Sequence, residues 1–126
     1  MTQIFFTIAA IFGGLSVAAG AFGAHALREK VSERILEIFD TGARYQMYHA
    51  LALLLVAILI SRLETPPTTL FISGWLFIIG VTIFSGSLYV LSLTGIKSLG
   101  AIAPLGGLLL MTGWAALAVT AATIKF

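Results

Sequence analysis

The sequence predicts an all-α integral membrane protein, a four-helix bundle, and three observations carry this prediction. Of 126 residues, 60 % are hydrophobic and 10 % are charged, whereas soluble domains have about 25 % charged residues. The charges leave four long uncharged stretches, each wide enough to cross a hydrocarbon core about 30 Å thick as a helix. The stretches are continuously apolar rather than alternating, which favours helices over a β-barrel. This composition excludes an ordinary soluble enzyme, a disordered chain and, with no cysteine, a disulfide-stapled secreted domain.

The chain is predicted to form one domain over residues 1–126, with four spans set by the positions of its charges. The segment from Glu64 to Pro67 cannot continue a helix, and a turn is expected around Gly95. The predicted spans are 3–27, 42–61, 68–93 and 100–124.

An amphipathic helix is predicted over residues 31–40, between the first two spans, where it would lie in the membrane interface. Its apolar and its charged residues fall on opposite sides at helical spacing. The apolar side comprises Val31, Ile35, Ile38 and Phe39, and the charged side comprises Glu33, Arg34, Glu37 and Asp40. Ser32 is expected to cap this helix at its start, and Gly42 to end it.

The distribution of basic residues predicts how the chain is oriented. Five of them lie in or beside the first and third linkers, and two lie on the opposite side: Arg28, Lys30, Arg34, Arg44 and Lys97, against Arg62 and Lys125. The positive-inside rule therefore places the first and third linkers in the cytoplasm and both termini outside. The expected location is the bacterial plasma membrane or an equivalent energy-transducing membrane.

Small residues at helical spacing predict where the helices pack, because close approach is needed for association in lipid. The predicted contact residues are Gly14, Ala18 and Ala21 in the first span, Gly80 in the third, and Gly106 and Gly113 in the fourth. The spacing in the first span continues to His25, which is therefore expected on the same packing face.

Polar residues within the spans are the candidates for a functional site. They gather in the predicted cytoplasmic half: His25, Arg44, Tyr45, Tyr48, His49, Ser85, Ser87 and Tyr89. Three interpretations remain open. They could anchor and connect helices, they could form a conduction or substrate site with the two histidines relaying protons, or the histidines could bind haem or a metal.

Enzymatic activity is not expected. The spans contain no paired carboxylates for acid–base catalysis, and Ser85-Gly86-Ser87 lacks the glycine spacing of a nucleophile elbow. The seven basic residues form no patch for nucleic acid. We therefore predict no catalytic residue, no cofactor, no metal site and no nucleic-acid partner.

Four ordered motifs carry a family resemblance. They are Gly20-Ala-Phe-Gly-Ala-His25, Tyr45-Gln-Met-Tyr-His49, Phe84-Ser-Gly-Ser-Leu-Tyr89, and Pro104-Leu-Gly-Gly107 with Gly113-Trp114. Over essentially the whole chain the sequence resembles the DUF423 family, small four-helix membrane proteins that include the transmembrane protein 256 type. The resemblance implies an integral membrane protein with no established activity, and it singles out His25, Tyr45, His49, Ser85 and Tyr89 as motif positions.

The expected function is that of a structural or accessory subunit in a membrane assembly, with the bilayer and a membrane-protein complex or a homo-oligomer as its partners. The alternative is a small oligomeric channel or transporter that uses the His/Tyr cluster. Apart from hydroxyls, the polar residues of the spans gather almost entirely in one half of the predicted bundle, which favours the accessory role.

Overall fold

A computed structural model describes residues 1–125 of the chain and has four long helices. Helix α1 spans Thr2–Phe22 and continues as a π turn over Gly23–Leu27. Helices α2, α3 and α4 span Glu33–Arg62, Thr68–Thr94 and Leu99–Thr123. All four are long and apolar enough to cross a membrane, and no strand occurs between residues 1 and 125. The predicted fold class is therefore confirmed.

Local sequence signals explain where the helices begin and end. The Ser32 hydroxyl accepts a hydrogen bond from the Ile35 N–H at 3.3 Å, which caps the start of α2. Pro67, with an extended backbone, precedes the first residue of α3. Gly95 ends α3 in the left-handed conformation at φ 73°, and its N–H donates to the Leu91 carbonyl at 2.8 Å.

The separate helix predicted over residues 31–40 does not form, because α2 runs without interruption from Glu33 to Arg62. Gly42 lies inside α2, where it permits a close approach to α3 rather than ending a helix. A Cβ at Gly42 would lie 3.0 Å from Tyr89 Cε1. With 30 residues, α2 is about 45 Å long at 1.5 Å per residue and exceeds a hydrocarbon core of about 30 Å. Its charged first turns therefore extend beyond that core.

Consecutive helices pack side by side, and α2 is the most buried of the four. The fully buried core lies toward the end of the bundle that holds Met1, and its largest members come from all of the first three helices. They are Phe5, Leu53, Val56, Leu70 and Phe77. Helices α2 and α4 meet through side chains rather than by close backbone approach, which leaves a groove between them.

The glycines predicted for α3 and α4 lie where these two helices touch. A Cβ at Gly106 would stand 2.8 Å from Phe84 Cα and 2.9 Å from the carbonyl oxygen of Gly80. A Cβ at Gly113 would stand 2.7 Å from the ring of Phe77. Gly106 therefore allows α3 and α4 to approach backbone to backbone, and Gly113 leaves room for the Phe77 ring.

The packing face predicted for α1 is wrong for the single chain, because Gly14, Ala18 and Ala21 are exposed. Instead, α1 packs on α2 along a different face, where Ala9 and Ser16 are buried, and it meets α3 through a large residue. The Phe5 ring is completely buried and lies against Gly74 of α3, where no Cβ would fit. The small residue at this contact is thus supplied by the partner helix, and spacing within α1 could not reveal it.

Candidate functional site

Gln46 connects three helices through both ends of its side-chain amide. Its Nε2 donates to the Phe12 carbonyl of α1 at 2.8 Å, and its Oε1 accepts from the Tyr89 hydroxyl of α3 at 2.7 Å. Gln46 itself is buried in α2. An amide that both donates and accepts can therefore join two neighbouring helices that offer opposite groups.

A second bond joins α2 to α3 close to this amide. The Ser85 hydroxyl, almost fully buried, donates to the Gly42 carbonyl at 2.7 Å. The carbonyl is reachable because Gly42 has no side chain and lies against the Tyr89 ring. The close approach and the hydrogen bond therefore depend on the same glycine.

His49 is buried near the middle of α2, and both ring nitrogens have partners. Nδ1 lies 2.7 Å from the Tyr45 carbonyl, and Nε2 lies 3.0 Å from the Trp114 indole nitrogen of α4. A carbonyl only accepts and an indole N–H only donates, so these contacts select the neutral imidazole with its proton on Nδ1. The ring also packs against Phe77, with centroids 5.4 Å apart.

Helices α3 and α4 share one further polar contact at the opposite end of the bundle, where the hydroxyls of Thr69 and Thr120 lie 2.6 Å apart. Within residues 1–125, every buried side-chain nitrogen or oxygen has a hydrogen-bond partner. Some of these partners lie on the same helix, since the hydroxyls of Ser16, Ser73 and Ser92 donate to carbonyls three or four residues earlier.

The structure divides the predicted polar cluster. His49, Ser85 and Tyr89 lie between helices and take part in the bonds described above. Ser87 is buried in α3 outside these bonds. Tyr45, Tyr48 and Arg44 are exposed on α2, and the Arg44 guanidinium pairs with Asp40, its Nε lying 2.8 Å from Oδ2.

The structure does not bring together the two histidines of the haem or metal hypothesis within one chain. His25 is exposed in the π turn, whose Gly23 contacts Phe39. Phe39 lies ten residues before His49 on α2, about 15 Å at 1.5 Å per residue. In the described part of the chain, no group of three His, Asp or Glu residues could hold a metal ion.

Sequence reasoning did not place Gln46 and Trp114 among the site residues. Both stand inside the motifs quoted above, and Gln46 is one of only two glutamines. A side-chain amide within an otherwise apolar span itself indicates a polar contact between helices, because in lipid the amide needs hydrogen-bond partners. Trp114 gives no such signal, since an indole is common at exposed and interfacial positions.

An apolar groove of about 580 Å³ runs between α2 and α4, open to the surroundings of the bundle. Tyr45, Tyr48 and His49 line its α2 side, and Phe84 of α3 forms part of its floor. On α4 its wall consists of Gly107, Leu110, Met111 and Trp114. A smaller pocket of about 110 Å³ adjoins it at Arg44 and shares Tyr45 and Tyr48 with it.

Comparison with known proteins shows similarity along nearly the whole chain. A family model described as "Protein of unknown function (DUF423)" matches residues 19–107. A UPF0382 membrane protein of Staphylococcus haemolyticus is 41 % identical over 124 residues, 98 % of each chain. The UPF0382 membrane protein YwdK of Bacillus subtilis is 45 % identical over 121 residues, 94 % of this chain and 96 % of its own. No solved structure shows a significant match. The chain is a multi-pass membrane protein that belongs to the DUF423 family.

Proposed function

We propose that this protein is a structural or accessory subunit of a membrane assembly. The observation that carries the proposal is that three of the buried polar side chains are hydrogen-bonded to neighbouring helices. Gln46, Ser85 and His49 each bond to another helix, and they therefore connect the bundle rather than present reactive groups. The proposal includes no catalytic step, and it is supported by the engagement of the His49 imidazole and the Ser85 hydroxyl in these contacts.

The distribution of buried residues supports this role over conduction by a single chain. A conduction path needs polar groups or water along the full depth of the membrane. Beyond His49, toward the end of the bundle that holds Met1, the centre is filled by Leu53, Val56 and Leu70, which are completely buried. The polar contacts of Gln46 therefore do not continue into a polar path across the bundle.

We further propose that both termini lie outside the cytoplasm. Met1, Arg62 and Thr123 lie at one end of the bundle by the order of the helices, and the charged start of α2 lies at the other. The basic residues concentrate at the second end, as expected of the cytoplasmic side.

The test is to express the tagged chain in its native membrane, extract it in mild detergent and quantify what copurifies by mass spectrometry. A different membrane protein recovered at a fixed stoichiometry is the expected result. Gly106→Leu provides a control, because the added side chain would force α3 from α4, and capture of the partner should then fall sharply.

Two outcomes would overturn the accessory role. One is the reproducible recovery of this chain alone or only with copies of itself. The other is ion flux by the purified protein in liposomes that the double replacement of His25 and His49 by alanine abolishes. That second result would favour the channel or transporter.

A further inference from the structure

The groove between α2 and α4 and the pocket beside Arg44 form one amphiphilic surface. The groove is lined by aromatic and aliphatic side chains, and the pocket by Thr41, Arg44, Tyr45 and Tyr48. Tyr45 and Tyr48 line both the groove and the pocket. The apolar groove therefore leads directly to the pocket beside Arg44, which we call the mouth and which carries a charge and hydroxyl groups. Arg44 is the last charged residue in the first part of α2. The mouth therefore lies at the level expected for lipid headgroups.

We propose that this surface binds one phospholipid with a zwitterionic, primary-ammonium headgroup such as phosphatidylethanolamine, its acyl chain in the groove and its headgroup at Arg44 and Asp40. The site is independent of the accessory role, which concerns protein partners.

The dimensions of the groove fit an acyl chain. A volume of about 580 Å³ lies within the usual range of ligand pockets. Gly107 and Met111 together with Trp114 mark its length on α4, about 10 Å at 1.5 Å per residue. A membrane-spanning helix would need a surface about 30 Å long, so the groove suits a flexible chain better than a helix.

The charges at the mouth, Arg44 in its lining and Asp40 bonded to Arg44 from outside that lining, fit a zwitterionic headgroup. Both bonds from Arg44 end on Oδ2 of Asp40, so Nη1 of the guanidinium and Oδ1 of the carboxylate take no part in the pair. The two side chains are 61 % and 48 % exposed. A phosphate can therefore meet the guanidinium while an ammonium meets the carboxylate, whereas an anionic headgroup would meet Asp40 as a like charge.

The walls of the groove also provide contacts that suit a lipid. The Tyr45 ring stacks on Phe84 with centroids 5.1 Å apart and an angle of 18°, which gives a flat aromatic floor. Met111 and Trp114 are exposed on the facing helix, so this apolar surface must be covered by lipid or by protein. The Tyr45 and Tyr48 hydroxyls lie on the same helix as Arg44 and can donate to phosphate oxygens.

The test measures binding of phosphatidylethanolamine and of phosphatidylglycerol to the delipidated protein in detergent by native mass spectrometry. The wild type should bind phosphatidylethanolamine in a one-to-one complex and more tightly than the anionic lipid. Gly107→Leu should weaken binding about tenfold, because a Cβ there meets only the Phe84 ring at 3.6 Å and the larger side chain would extend into the groove. Gly86→Leu is the matched control, since Gly86 has open space around it.

The headgroup is tested separately with variants at the exposed mouth, which leave the bundle core untouched. Arg44→Gln should weaken binding of both lipids several-fold, whereas Arg34→Gln, the same change earlier on α2, should not. Asp40→Asn should remove the preference for phosphatidylethanolamine over phosphatidylglycerol. Equal binding by the wild type and Gly107→Leu, or equal effects of the two arginine variants, would overturn the proposal. A wild type that binds both lipids equally would refute the assigned headgroup.

Discussion

Replacing Gly106 by alanine is expected to destabilise the bundle far more than the same replacement at Gly107. The two residues are adjacent on α4, but Gly106 faces backbone atoms of α3 whereas Gly107 faces only the Phe84 side chain. A Cβ at Gly106 would stand 2.8 Å from Phe84 Cα and 2.9 Å from the Gly80 carbonyl oxygen. A Cβ at Gly107 would stand 3.6 Å from the Phe84 ring, an ordinary contact.

The magnitude follows from the atoms that would clash. Carbon atoms pack best at about 3.5–4.0 Å, so Gly106→Ala would push α3 and α4 apart by roughly 1 Å. Overpacking costs about 1–3 kcal/mol, and the upper end applies because backbone atoms cannot rotate away. Both substitutions gain about 1 kcal/mol of helix propensity, which cancels in their difference. We therefore expect Gly106→Ala to be less stable than Gly107→Ala by about 3 kcal/mol.

The assay is reversible unfolding of both variants in mixed micelles, followed by far-ultraviolet circular dichroism and tryptophan fluorescence. The free energies of unfolding are compared under identical detergent conditions, so that the unfolded state is as similar as possible. A difference below about 0.5 kcal/mol, within the usual range of surface substitutions, would refute the close backbone contact described for Gly106.

Three further substitutions test the polar and apolar contacts. His49→Asp should lower thermal stability in detergent much more than His49→Gln, because an unpaired charge within the membrane costs about 3 kcal/mol; equal stabilities would contradict the buried placement. Tyr89→Phe should lower the free energy of unfolding by about 1–3 kcal/mol, because Oε1 of Gln46 loses its donor; an unchanged value would argue against this bond. Gly74→Ala should destabilise the chain by overpacking against the Phe5 ring, and adding Phe5→Leu to that variant should recover part of the lost stability. Additive effects of the two substitutions in a double-mutant cycle would show that the two sites do not touch.

The helix ends were predictable wherever a local signal acts alone. Ser32 caps α2 through its own hydroxyl, and Gly95 ends α3 because its positive φ suits glycine. Gly42 is the same residue type as Gly95, but it lies within a helix, because α3 packs against it. Whether a glycine ends a helix or admits a neighbour depends on the residues that face it.

The candidate site, too, was predictable from the sequence in some features and not in others. The concentration of polar residues around the start of α2 is visible in the sequence, and so is the presence of His49 within a span. Their pairing is not visible, because Gln46 bonds to a carbonyl 34 residues away and His49 to an indole 65 residues away. Such contacts depend on how each helix is rotated about its axis, and small residues spaced along α1 predicted the wrong rotation.

By itself, the sequence determined the membrane class, the four helices and the local caps, because composition, charge positions and capping chemistry act within a few residues. The tertiary structure decided which glycine lies between helices, how the buried polar groups pair and where the groove opens. These features arise from the mutual rotation and depth of the helices, which packing between distant segments selects.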